Sequence, residues 1–166
     1  RWELTPADAV AHGLPALGFA FEEAPRALIA TRFPAHGAYA VFSGPPGTPL
    51  GILVEADGLS GQDVQTLRDA LRTNPSARIG SPRELAEAEA VRFGTETRSA
   101  VALLAGAGAA RTHYCVVMVP SPEGFSRGLL VWLYAAGRGV RVASCAQVLA
   151  HPVLAAAATH FRLLTP

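Results

Sequence analysis

The chain has 166 residues, 50% of them hydrophobic, with 14 basic and 13 acidic side chains and a formal net charge of +1. That length suits one ordinary domain with its own core, and the composition excludes an intrinsically disordered protein. All 14 basic residues are arginine, which excludes lysine chemistry such as a Schiff base or a P-loop lysine. The abundance of Ala, Gly, Pro and Arg indicates a bacterial protein encoded by GC-rich DNA.

Two classes of partner are disfavoured by the distribution of charge. The arginines are scattered singly, without the basic stretch that would indicate a nucleic-acid face, so we predict no nucleic-acid partner. The late segment Val142–Phe161 carries no formal charge, contains Pro152 and two histidines and is rich in alanine. It therefore predicts soluble helix rather than a membrane span. Arg1 at the first position indicates a processed or excised chain.

The first third of the chain predicts strands after an irregular beginning. Residues 1–17 are expected to be irregular or weakly helical, which leaves residues 18–164 as the core of a single domain. Alternating apolar residues and turn residues then predict strands at Gly18–Ala24, Ala27–Phe33, Ala38–Ser43 and Leu50–Ala56. The first two are expected to pair with each other.

The next segment predicts a helix. Ser60 stands three residues before Asp63, as in a capping box, and Val64, Leu67 and Leu71 form one apolar stripe. Asn74–Pro75 ends this helix.

The stretch Ala77–Gly94 is ambiguous. Ser81 followed by Pro82 and Glu84 is typical of a helix start and favours about two further helical turns. Val91–Phe93 has the composition of a strand instead.

The second half predicts a sheet and then helices. Three neighbouring strands are predicted at Arg98–Ala105, Arg111–Pro120 and Gly128–Ala136, the first two joined by a glycine turn at 106–108. Ser144 and Gln147 predict a capped helix, Pro152 begins another helical segment, and His160–Leu164 predicts a last strand. The predicted fold class is α+β, a largely antiparallel sheet with helices packed on it.

The two cysteines are the candidates for chemistry. Cys115 shares a strand face with His113, and Cys145 lies at a helix start, where the thiol pKa is lowered. His151 follows Cys145 by six residues and is a candidate partner for a thiolate. Three interpretations stay open: buried unreactive thiols, a Cys115–Cys145 disulfide, and a catalytic thiol.

No cofactor or metal site is predicted. The five histidines show no HxH, HxxxH or HExxH spacing, and the chain has no CxxC motif. The glycines at 106 and 108 precede a strand rather than the helix that a dinucleotide fingerprint needs. A GxSxG nucleophile elbow is also absent from the sequence. Trp132 and Tyr134 share one strand face and are interpreted either as core or as an aromatic partner surface.

The order of elements resembles the Mog1/PsbP-like α/β/α sandwich, including its DcrB-type and Eag-chaperone relatives. The features that carry this resemblance are GFAFEEA with ALIATRF, then LGILVEADGLSGQDVQTLRDAL, the late meander SAVALLAG/THYCVVMVP/GLLVWLYAA, and the closing CAQVLAHPVLAAAATHFRL. The resemblance implies a non-enzymatic assembly factor, lipoprotein or chaperone for partner proteins.

The sequence thus predicts a non-enzymatic bacterial protein-binding or assembly module whose partner is another protein or a neighbouring domain. The alternative is a thiol-dependent enzyme or redox-active domain using Cys145 or Cys115. A disulfide would favour an extracytoplasmic location over the cytoplasm.

Overall fold

The computed structural model describes residues 1–58, 63–73, 82–106, 111–122, 128–137 and 141–166. Within these residues lie ten strands: β1 (Trp2–Leu4), β2 (Gly18–Phe21), β3 (Ile29–Arg32), β4 (Ala38–Ser43), β5 (Leu50–Ala56), β6 (Pro82–Phe93), β7 (Glu96–Ala105), β8 (Thr112–Val119), β9 (Leu129–Ala136) and β10 (Phe161–Leu164). The helices described are α1 (Pro6–Ala11), α2 (Val64–Thr73), α3 (Cys145–Val148) and α4 (Pro152–His160).

The described strands form two antiparallel sheets, so the fold class is α+β. The small sheet has the order β1-β2-β10, and the large sheet has the order β3-β4-β5-β9-β8-β7-β6. The predicted block of three neighbouring strands is confirmed, because β8 pairs with both β7 and β9. The late helix start at Ser144 and the last strand are also confirmed.

The large sheet is covered differently on its two faces. One face packs against the small sheet and against α3 and α4, and this contact forms the main core. The other face carries α2, whose buried Leu67 and Leu71 share a second hydrophobic cluster with Leu103 and Met118. The predicted apolar stripe of this helix is thereby confirmed.

The expectation of an irregular or weakly helical N-terminal segment agrees with the helix α1 but is wrong for residues 2–4. Residues 2–4 form β1, which pairs with β2, and Thr5 caps α1 through a reciprocal hydrogen-bond pair with Asp8. Leu4 and Ala9 are fully buried in the main core. A short strand and a six-residue helix escape periodicity analysis because neither spans a full hydrophobic repeat.

The predicted pairing of the first two core strands is also wrong. β2 lies between β1 and β10 in the small sheet, and all four of its residues are buried. β3 instead pairs with β4 as an edge strand of the large sheet, with all four residues exposed. A fully buried strand needs backbone partners on both sides, which an exposed edge strand does not supply.

The helical interpretation of Glu84–Ala90 is wrong as well. These residues belong to β6, which pairs with β7 from Pro82 to Phe93 with two register shifts. Val91 and Phe93 enter the core while Arg92 between them is exposed. Strand pairing along the sheet edge outweighs the helix propensity of the Ala and Glu residues, which is a weak preference per residue.

Some expectations fall outside the described residues: those on Ser60, on Asn74–Pro75, on Ser81 and on the turn residues after Gly106. Of the helices that the structure describes, none has the length and apolar character needed to cross a membrane.

Candidate binding surface and disulfide

Three aromatic side chains meet on the face of the large sheet that carries α2. Tyr114 and Tyr134 are cross-strand partners on β8 and β9, and their ring centroids are 5.3 Å apart. Trp132 lies two residues before Tyr134, and its ring stands edge-on to Tyr114 at 6.2 Å and 88°. Successive side chains of a strand alternate between faces, so this spacing puts all three on the same side. We call this group the aromatic face.

The aromatic face forms one wall of a cavity of about 350 Å³. The cavity is lined by Pro34, Ala35, Val41, Leu53, Tyr114, Trp132 and Tyr134. A volume of this size lies within the range of small-ligand pockets, and apolar linings with a few polar groups are typical of such pockets. The hydroxyls of the two tyrosines supply the polar groups.

Contacts on β5 fix the orientation of two of the aromatic rings. Trp132 Nε1 donates a hydrogen bond of 2.8 Å to Glu55 Oε1. Tyr134 is the register partner of Gly51, and a Cβ built at Gly51 would lie 2.6 Å from Tyr134 Cζ. Only glycine therefore leaves room for the tyrosine ring there. Preoriented rings lose less conformational freedom when a partner binds.

Both phenols are neutral at physiological pH, and burial raises their pKa further above it. Burial raises the pKa of Tyr114, which the neighbouring Tyr134 raises further. Burial also raises the pKa of Tyr134, and a hydrogen bond with Ser43 partly offsets that rise. The cavity wall therefore offers hydroxyl groups as donors and acceptors without a formal charge.

Of the two interpretations given above, core packing fits Trp132, and a surface position fits Tyr134. Trp132 is only 3% exposed and belongs to the hydrophobic cluster under α2, while Tyr134 is partly exposed. Sequence analysis missed Tyr114 and Leu53 as further wall residues. The period-two spacing of Tyr114 and Val116 was the available signal for the first.

The two cysteines of the chain are joined by a disulfide. Cys115 lies in β8 and Cys145 is the first residue of α3; their Cα atoms are 4.9 Å apart and both side chains are fully buried. The bond ties the short helix to the sheet. Neither sulfur is a free thiolate in this state, and the thiolate is the nucleophilic form of cysteine.

The start of α3 is held by partners from two places in the chain. Glu89 of β6 accepts hydrogen bonds from the backbone N–H groups of Cys145 (3.0 Å) and Ala146 (3.1 Å). Ser144 and Gln147 form the predicted reciprocal capping box. All three N–H groups of the first turn therefore have acceptors, which fixes the position of the cysteine. Glu89 thus caps a helix that begins 56 residues further along the chain.

The two candidate histidines have structural contacts. His113 Nδ1 accepts a hydrogen bond of 3.0 Å from the backbone N–H of Ala143, two residues before the disulfide. His151 is the N-cap of α4 and accepts from the backbone N–H of Val153. Neither contact pairs an imidazole with a sulfur.

His113 is expected to make stability depend on pH. Burial lowers its pKa, and Nδ1 cannot take a proton without losing its bond to Ala143. The unfolded chain, with an ordinary histidine pKa of about 6.5, then binds protons that the folded chain refuses. We expect the free energy of unfolding to fall as pH drops below about 6.5, and urea titrations from pH 8 to 5 measure this.

The matched variant for this prediction is His113→Asn. Its side-chain oxygen can take the place of Nδ1 as acceptor, and it does not titrate. The variant should lose part of the acid sensitivity, and since the two proteins differ only at residue 113, the loss is assigned to His113. An unchanged pH profile in the variant would mean that His113 does not cause the acid sensitivity.

The described residues do not bring together three His, Cys, Asp or Glu side chains that could hold a metal ion. What this part of the chain does present is a preoriented aromatic cavity on one face of the large sheet and a structural disulfide on the other. Such an arrangement suits binding through apolar contact. Neither a family model, nor a curated protein, nor a solved structure matches this chain.

Proposed function

We propose that this chain is a non-enzymatic, bacterial protein-binding or assembly module. Its aromatic face receives an apolar segment presented by a partner protein or by a neighbouring domain of a longer chain. The observation that carries the proposal is the cavity of about 350 Å³ walled by Tyr114, Trp132 and Tyr134. Tyrosine and tryptophan are enriched where proteins bind one another, because they offer a large apolar area and a polar end.

The same cavity gives little support to catalysis. Among the described residues that line it there is no histidine, cysteine, carboxylate or arginine, and the two tyrosine hydroxyls have pKa values raised by burial. Its charged neighbour, Glu55, is bonded to the Trp132 indole. The thiol-dependent alternative would need the Cys115–Cys145 bond to be reduced first, and both sulfurs are buried.

We also propose a Mog1/PsbP-like arrangement and an extracytoplasmic location. Support for the arrangement comes from the large antiparallel sheet with α2 on one face and α3 and α4 on the other. Support for the location comes from the disulfide, since such bonds persist in oxidising compartments.

Site-specific photo-crosslinking tests the proposed function. Benzoylphenylalanine in place of Val41, at the cavity wall, is compared with the same residue in place of Gln65, which is exposed on α2. In the full-length protein in its own cells we expect one discrete adduct from position 41 and none from position 65.

Variants of Tyr134 make the result specific. Tyr134→Glu puts a charge into the cavity and should reduce the adduct by at least about tenfold, as expected for an aromatic anchor. Tyr134→Phe keeps the ring and should leave the adduct unchanged. The proposal fails if position 41 gives no adduct, or if Tyr134→Glu leaves the adduct intact while circular dichroism shows a folded protein.

A further inference from the structure

A second cleft lies between the small sheet and one end of the large sheet. It has a volume of about 490 Å³. Its walls come from β10 and the residues after it, from the turn between β6 and β7, and from the segment that follows β8: Phe93, Thr95, Glu96, Arg98, Pro120, Ser121, Pro122, Phe161, Arg162, Leu163 and Thr165. None of these residues belongs to the aromatic face.

One wall of this cleft is the outer edge of β10. Among the described strands β10 pairs only with β2, and the N–H of Glu22 bonds to the carbonyl of His160. Hydrogen-bonding residues alternate along an antiparallel strand, so Arg162 also faces β2 while Phe161 and Leu163 direct their backbone groups outward. A strand edge with outward N–H and C=O groups is a template for an added strand.

The turn between β6 and β7 covers only one end of that edge. Gly94, with φ of +66°, lies against the carbonyl of Phe161, and its N–H donates to the carbonyl of Ala158 at 2.6 Å. A side chain at this position would collide with the Phe161 backbone. Leu163 is two residues beyond Phe161 on this edge and lines the cleft.

The second unusual group in the cleft is the Arg98 guanidinium. Its Nε is buried and has no hydrogen-bond acceptor among the described residues, and the same part of the chain offers it no ion pair. Buried donors in proteins are nearly always paired, and a cationic donor is the costliest to leave alone. Nε itself is closed to solvent, but the Arg98 side chain as a whole is partly exposed, so a ligand carboxylate would pair with the terminal Nη groups of this cation.

The other charged side chains of the cleft do not neutralise the Arg98 guanidinium. Arg162 pairs with Glu22 at 3.4 Å. Glu96 lines the same cleft and lies more than 4.0 Å from the Arg98 nitrogens, since no ion pair joins them. Its negative charge weakens an anion site without neutralising Arg98.

We infer that this cleft binds a carboxylate carried by a short extended peptide. The peptide backbone adds to the free edge of β10 at Leu163, and its carboxylate bonds to the Arg98 guanidinium. The apolar wall formed by Phe93, Phe161 and Pro120 accepts the side chain beside the carboxylate. The carboxylate can be a chain terminus or an acidic side chain, and both sources share this recognition chemistry.

Nuclear magnetic resonance titration of the isotope-labelled chain tests this inference with three probes. N-acetyl-Val-Leu carries a terminal carboxylate, N-acetyl-Val-Glu-amide carries one on a side chain, and N-acetyl-Val-Leu-amide carries none. We expect saturable shifts of the Arg98 Nε–H and the Leu163 amide with at least one acid, and at least about tenfold weaker binding of the uncharged amide. Whichever acid binds more tightly identifies the source.

Variants of the cleft separate a local contact from general charge attraction. Arg98→Gln should abolish saturable binding, Glu96→Gln should strengthen it, and Arg92→Gln, which removes an exposed arginine outside the cleft, should leave it unchanged. The inference is overturned if neither acid gives saturable shifts, if the amide binds as well as the acids, or if Arg92→Gln and Arg98→Gln act alike. The three probes on the unaltered chain decide the matter even if Arg98→Gln does not fold.

Discussion

Reducing the Cys115–Cys145 disulfide is expected to lower the free energy of unfolding by about 3.6 kcal/mol, the loop-closure value for a separation of 30 residues. The bond restricts the unfolded chain much more than it restricts the folded one, where Glu89 and the capping box already hold α3. For a chain of this length the loss corresponds to a fall in melting temperature of about 7–14 °C. Thermal denaturation with and without dithiothreitol measures it.

The double variant Cys115→Ala/Cys145→Ala is the control. It should melt near the reduced protein, somewhat lower because both sulfurs leave the core, and it should not respond to dithiothreitol. Equal melting temperatures for the oxidised and reduced proteins would contradict the prediction. A dithiothreitol effect that persists in the double variant would assign the loss to something other than this bond.

The same measurement bears on the two proposed kinds of function. If the reduced protein is much less stable, Cys145 could act as a working thiol only in that less stable form of the chain. A binding module needs the bond only as a tie between α3 and β8. Persistence of the bond in the protein isolated from its own cells would further support an oxidising compartment.

Local signals in the sequence predicted local structure well. The stripe of Leu67 and Leu71 gave the buried face of α2, and Ser144 with Gln147 gave the start of α3. Long apolar runs gave β7, β8 and β9 as neighbours, because connected strands of a meander usually lie side by side. In each case the signal and the structure lie within a few residues of each other, or on consecutive elements.

Pairings between distant segments were beyond these signals. β2 pairs with β10, where Phe21 stands opposite Phe161, although β3 lies much nearer to β2 along the chain. The Ala and Glu residues of β6 favour a helix when considered alone, and only the ladder with β7 makes them a strand. Tertiary contacts decided both cases, and a single sequence does not display them.

Sequence signals likewise predicted only part of the candidate site. Period-two spacing placed Trp132 and Tyr134 on one face, yet the cavity also needs Leu53, which β5 brings opposite Trp132. The two cysteines offered one possible pair, and the structure supplied the short distance between them. Arg98 gave no signal in the sequence, since its unusual state, a buried Nε without an acceptor among the described residues, exists only in the folded chain.

Replacing Phe42 by alanine is expected to cost about 3–5 kcal/mol of the free energy of unfolding. Phe42 of β4 is 1% exposed and contacts aromatic rings of the small sheet: its centroid lies 4.7 Å from Trp2 and 5.2 Å from Phe21. Truncation would leave a cavity between the two sheets, which the rigid strands around it cannot close. Urea denaturation measures the loss, and Ile29→Ala, at a 74% exposed position of β3, should change stability by less than about 0.5 kcal/mol.

A double-mutant cycle with Trp2 tests whether the small sheet is docked as described. Trp2 belongs to the segment that the sequence indicated as irregular, and its ring meets Phe42 edge-on at 71°. If β1 packs against the large sheet, Trp2→Ala and Phe42→Ala should couple by about 0.5–1.5 kcal/mol, because each loses the same aromatic contact. Additive losses within about 0.3 kcal/mol would mean that Trp2 does not touch Phe42 in solution, and the N-terminal strand would then not belong to the core.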